Sequence, residues 1–95
     1  MAAYVIAQIE VIDPEKFEEY RRQVPATIEA YGGRYIVRGG DSETLEGTWE
    51  PKRVVILEFP DRATAKAWWA SEAYGPVRAI RERAASTKLI AIDGV

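Results

Sequence analysis

The residues of this chain best suited to chemistry are two arginines and a glutamate on β-prone segments. Arg34 and Arg38 flank Ile36 in the run Arg34-Tyr35-Ile36-Val37-Arg38, bracketed by Gly32-Gly33 and Gly39-Gly40. Glycine pairs mark turns, and the β-branched and aromatic run between them predicts one strand. Side chains an even number of residues apart share a strand face, so both guanidiniums are expected on the same side. Two cations on the face of a small sheet call for an anion, from this chain, a partner chain or a ligand. Glu58, in the strand predicted over Arg53 to Phe59, belongs to the same mixed face and is the expected partner of Arg38. In one reading Arg38 recognises an anionic ligand and Glu58 orients it. In the other the two are a structural ion pair. Arg34, nearer the strand end, is a further ligand candidate, or else a solvated or interface residue.

Three more positions are candidates for a binding site. Glu46 lies in the polar loop from Gly39 to Lys52, where a glutamate acts either as a general base or as a plain turn residue before Gly47. Trp68 and Tyr74, with Trp69 beside them, form an aromatic wall for a flat ligand or else belong to the core, and adjacent Trp68 and Trp69 must point differently. Arg78 and Arg81 read as solvated or helix-end cations, and Tyr20 as packing. No catalytic residue can be assigned. The glycine pairs fit neither a phosphate loop nor a dinucleotide fingerprint.

Composition closes off most catalytic designs. The 95 residues include no cysteine, no histidine and no asparagine. Disulfides, thiolate nucleophiles and a serine triad with a histidine base are therefore excluded. Zinc, copper and haem lose their usual ligands, so neither a metal nor a cofactor is expected. A formal net charge of -2 without a basic run argues against nucleic acid. No apolar run approaches a membrane span and no signal peptide is visible, so a cytoplasmic protein without membrane contact is expected.

The elements that must position these residues follow from pattern. Tyr4 to Val11 reads as a strand ending at Ile12-Asp13-Pro14, with Asp13 as helix cap and Pro14 in the first turn. Phe17, Tyr20, Val24, Ile28 and Tyr31 recur at helical spacing, and Pro25 inside that stripe predicts a kink or restart. Arg53 to Phe59 is the strongest strand. Asp61 caps a helix through Trp69, and Ser71-Glu72 restarts a helix carrying Tyr74, Val77, Ile80 and Arg81. Lys88 to Ile92 is a last strand.

The order strand, helix, strand, strand, helix, strand predicts a single α+β domain over residues 1–95. It is a ferredoxin-like βαββαβ plait, a four-stranded antiparallel sheet with helices on one face. The other face mixes Tyr4, Ile6, Ile36, Val54 and Ile56 with Arg34, Arg38, Glu10 and Glu58. That is too apolar for free solvent, so a second copy is expected to cover it.

With this order in view the chain resembles the domain-of-unknown-function 1330 family. The segments that carry the resemblance are Tyr31 to Gly40, Leu45-Glu46-Gly47-Thr48-Trp49, Val54 to Pro60, Ala67-Trp68-Trp69 and Ser71-Glu72-Ala73-Tyr74. The resemblance covers nearly the whole chain. It implies a dimeric α/β barrel, with the sheets of two protomers facing each other, beside the antibiotic-biosynthesis monooxygenases. Those neighbours use Asn, Trp, Tyr or His beside the substrate, and only Trp and Tyr are present here. Three functions stay open: a cofactor-free enzyme on a small anionic or aromatic metabolite, a non-catalytic ligand-binding module, and a purely structural homodimer.

Overall fold

The computed structural model describes residues 1–95. Its elements are β1 (Ala3–Val11), α1 (Pro14–Glu29), β2 (Arg34–Arg38), β3 (Arg53–Phe59), α2 (Arg62–Trp69), α3 (Tyr74–Ala84) and β4 (Ala85–Asp93). The strands form one sheet in the order β2-β3-β1-β4, and every neighbouring pair is antiparallel. This is the ferredoxin-like plait, with the second helical region split into α2 and α3. β4 exceeds the expected Lys88 to Ile92 because it pairs with all of β1, from Val11 opposite Ala85 to Ala3 opposite Asp93.

Local chemistry sets the helix starts. The Asp13 side chain accepts a hydrogen bond from the Lys16 backbone N–H at 3.2 Å, with Pro14 at the first helical position. Asp61 caps α2 by accepting from the Thr64 N–H at 2.7 Å. Ser71 Oγ accepts from the Tyr74 N–H at 3.1 Å at the entry to α3. α1 does not restart at Pro25 but runs on to Glu29. Proline has no N–H to offer the carbonyl four residues back, that of Arg21. The vacated Arg21 carbonyl instead accepts from Arg38 Nη2 at 3.4 Å. The helix irregularity thus becomes a dock for a strand residue.

One sheet face, with Val5, Ala7, Ile9, Leu57 and Phe59, packs under the helices against Phe17, Val24, Ile28, Trp68 and Tyr74. β2 lies tight against this layer: a Cβ added to Gly33 would sit 2.6 Å from the Phe59 ring and 2.8 Å from Ile28 Cγ2. The opposite face carries Tyr4, Ile6, Val54 and Ile56, all half-buried, together with exposed Ile90 and Ile92. These stand in register across the strands, Ile6 opposite both Ile56 and Ile90. No helix is long and apolar enough to cross a membrane.

Candidate anion-binding site

The ladder between β2 and β3 corrects the expected placement of the strand arginines. Arg34 pairs with Glu58 and Tyr35 with Leu57, but Val37 then pairs with Ile56 and Arg38 with Val55, so Ile36 forms a bulge. An extra residue reverses the alternation beyond it. Residues directly opposite share a face, so Val37 joins Ile56 on the open side while Arg38 turns to the helix side with Val55. The anticipated Arg38–Glu58 pair is therefore not formed. Glu58 instead takes Arg34 Nε at 2.7 Å and the Tyr4 hydroxyl at 3.4 Å. Glu58 is 24% exposed and Arg34 72%, so this is a half-wet surface pair of modest worth, about 0–1 kcal/mol.

Glu46 lies on the open-face side as well. Its loop is tied to the sheet by Trp49 Nε1 donating to Gln8 Oε1 at 3.0 Å, and Glu46 borders a hollow with Val37, Val54 and Ile56. The structure therefore does not bring Glu46 to the two aromatic candidates, which sit on the other side of the sheet. Trp68 and Tyr74 are together: their rings stack at 4.1 Å and 30°, both within the core. The buried indole N–H of Trp68 donates to Thr27 Oγ1 at 3.1 Å, and that hydroxyl donates in turn to the Val24 carbonyl at 2.7 Å. Trp69 points outward under the Arg78 guanidinium, 4.1 Å from its ring centroid.

Arg81, expected as a solvated or helix-end cation, is instead buried. Tyr74, Val77, Arg81 and Ala84 are the buried stripe of α3, at spacings of three and four, and Arg81 is only 6% exposed. The stripe itself was the available signal, since a helix-end cation would not share a register with Tyr74 and Val77. Arg81 Nη1 donates to the Tyr74 hydroxyl at 3.0 Å, and the Tyr74 and Tyr20 hydroxyls are bonded to each other at 2.9 Å. The ion pairs of the molecule are Arg21–Glu18, Arg34–Glu58 and Arg62–Asp93, so Arg81 has no carboxylate. Its Nε, like those of Arg21, Arg53 and Arg78, is buried without a hydrogen-bond partner. A buried guanidinium with neutral phenols as its neighbours is a costly arrangement unless an anion meets it.

Two spaces meet at Arg81. A narrow seam of about 30 Å³ runs between α1 and the sheet, bordered by Tyr20, Trp68 and Arg81 and, at its outer end, by Arg21, Arg38 and Arg53. An open groove of about 520 Å³ lies between α2 and β4, bordered by Trp68, Trp69, Lys66, Arg81, Thr87 and Leu89. The groove falls in the size range of small-molecule sites, whereas the seam holds about two waters. Thr87 Oγ1, on the groove, is a second buried polar atom without a partner.

Burial, reinforced by Tyr74, pushes the Tyr20 phenol far above its ordinary value. Burial also raises Tyr74, against the opposing pull of Arg81, and Tyr35, against that of Arg38. The folded state thus holds these protons where the unfolded chain has released them. The unfolded state binds fewer protons above about pH 10, and stability falls as pH rises from there. Urea unfolding of the wild type is expected to show that alkaline decline, and Tyr20→Phe to make it shallower. An identical decline in both proteins would contradict the assignment.

A family model described as a domain of unknown function (DUF1330) matches residues 2–95, and the chain belongs to that family. No curated protein matches it. Among solved structures it is similar to a protein of unknown function from Rhodopseudomonas palustris. The TM-score is 0.76 at 19% identity, covering 99% of this chain and 82% of that one. A dimeric ferredoxin-like protein from Jannaschia sp. CCS1 gives 0.72 at 11% identity, over 99% and 100% of the two chains. SnoaB, a cofactor-independent oxygenase from Streptomyces nogalater, gives 0.67 at 11% identity, over 99% and 93%. These likenesses establish the fold.

Proposed function

We propose that this protein is a homodimer that binds a small aryl carboxylate in the groove between α2 and β4, with the carboxylate on Arg81. The observation that carries the proposal is a buried guanidinium without an acid on its own chain, bordering a groove large enough for a ligand. Lys66 adds a second cation, Thr87 a hydroxyl, and the exposed Trp69 ring, with the edge of the buried Trp68 behind it, supplies apolar surface for a flat molecule. Arg34 and Glu58 then serve as a register pair on the face between the two copies, and Glu46 belongs to the loop that rims it. The dimeric neighbour and the apolar open face support the pairing of copies; SnoaB supports assaying any bound compound for cofactor-free turnover.

A melting screen against benzoate, salicylate and related acids tests the binding. Ligands that bind only the folded state raise its melting temperature, and these are expected to do so in the wild type. Arg81→Met replaces the unpaired charge with a side chain of similar length. It is expected to melt no lower than the wild type without ligand and to lose the ligand response. A screen without hits, or hits that persist in Arg81→Met, would overturn the proposal.

A further inference from the structure

The outer end of the seam gathers three cations from three elements: Arg21 of α1, Arg38 of β2 and Arg53 of β3. Arg38 is brought there by the bulge and held by the Arg21 carbonyl that Pro25 leaves free. It lies over the Tyr35 ring, 4.5 Å from the centroid. Arg53 lies 5.7 Å from the Phe17 ring centroid and occupies space beside Gly39 that a Cβ there would overlap. The acid that answers the cluster is Glu18, at 3.2 Å from Arg21 Nη1. Arg38 and Arg53 have no carboxylate within ion-pair distance. Two nitrogens, Arg21 Nε and Arg53 Nε, are buried without partners. The guanidinium of Arg53 is easier to deprotonate than usual, first because of burial and then because Arg21 and Arg38 repel its charge.

Like charges that nothing forces together destabilise a fold, yet a bulge, a helix proline and a glycine converge to assemble these three. We infer that Arg21, Arg38 and Arg53 form a second ligand site, for a tetrahedral dianion of the phosphate-monoester class. Three planar forks offer more donors than a monocarboxylate can use, and they match the oxygens and double charge of a phosphoryl group. The 30 Å³ of seam between this cluster and Arg81 is too narrow for one molecule to reach both, so the two sites fill independently.

The test is melting in inorganic phosphate against sodium chloride at matched ionic strength. The wild type is expected to gain about 3 °C or more at saturating phosphate. Sulfate, which shares the geometry and charge, is expected to act likewise. Arg53→Gln and, separately, Arg38→Gln should lose that gain. Each should also melt at or above the wild type in chloride, because a repulsive partner has gone. Arg83→Gln, an exposed α3 position, and Arg81→Met should keep the phosphate response, which separates this site from the carboxylate groove. An equal gain in chloride, or a full phosphate gain in both Arg53→Gln and Arg38→Gln, would overturn the assignment.

Discussion

Replacing Trp68 with alanine is expected to cost about 3–5 kcal/mol of folding free energy, a large part of the roughly 5–15 kcal/mol that holds a domain of this kind together. The indole is 1% exposed and stacks on Tyr74 at 4.1 Å and against Phe59 at 5.4 Å. Its N–H is answered by Thr27, so the site is filled and satisfied at once. Alanine would leave a cavity between α2, α3 and the sheet that these neighbours cannot close without moving strand β3. Thr27 would not be stranded, because its hydroxyl also donates to the Val24 carbonyl. The loss is therefore packing, and Trp68→Phe should recover much of it. Urea unfolding of the three proteins measures this; a loss under about 1.5 kcal/mol for the alanine variant would mean the core closes around the gap.

The second large effect concerns assembly. The wild type is expected to sediment as a dimer at micromolar concentration, burying about 2,000 Å² or more in total, as obligate contacts commonly do. Ile56 stands mid-face, opposite Ile6 on β1 and Val37 on β2. Ile56→Lys places an ammonium on the mostly apolar face expected between the two copies, where burying the charge is costly. Dissociation is expected to strengthen at least about 100-fold, roughly 3 kcal/mol. The same change on a monomer would be a mild surface substitution, since Ile56 is only half-buried in the single chain. A monomeric wild type, or an unaltered dimer in Ile56→Lys, would contradict this use of the face.

The plait was legible because each element carries its own period and its own stops. Asp13, Asp61 and Ser71 announce helix starts, and the glycine pairs announce turns. The site was legible only in parts. Trp68 and Tyr74 could be picked out as a pair of aromatics, but their stacking depends on the split between α2 and α3. The Arg38 position could not be read from alternation, because the bulge at Ile36 is set by how β2 meets β3 and by the carbonyl that α1 offers. A one-residue irregularity moved Arg38 across the sheet, away from Glu58 and toward Arg21 and Arg53. Arg81 was legible in principle: it shares the buried stripe of Tyr74 and Val77. A charged side chain alone reads as solvated, but a buried cation without an acid is the kind of local inconsistency that marks a site.

The most direct test of the central claim is a crystal structure of the protein with the carboxylate that raises its melting temperature most. The expected result places the carboxylate within hydrogen-bond distance of Arg81, with the ring of the ligand against Trp69 in the groove between α2 and β4. Density for the ligand on the open sheet face beside Arg34 and Glu58, with the groove empty, would contradict it.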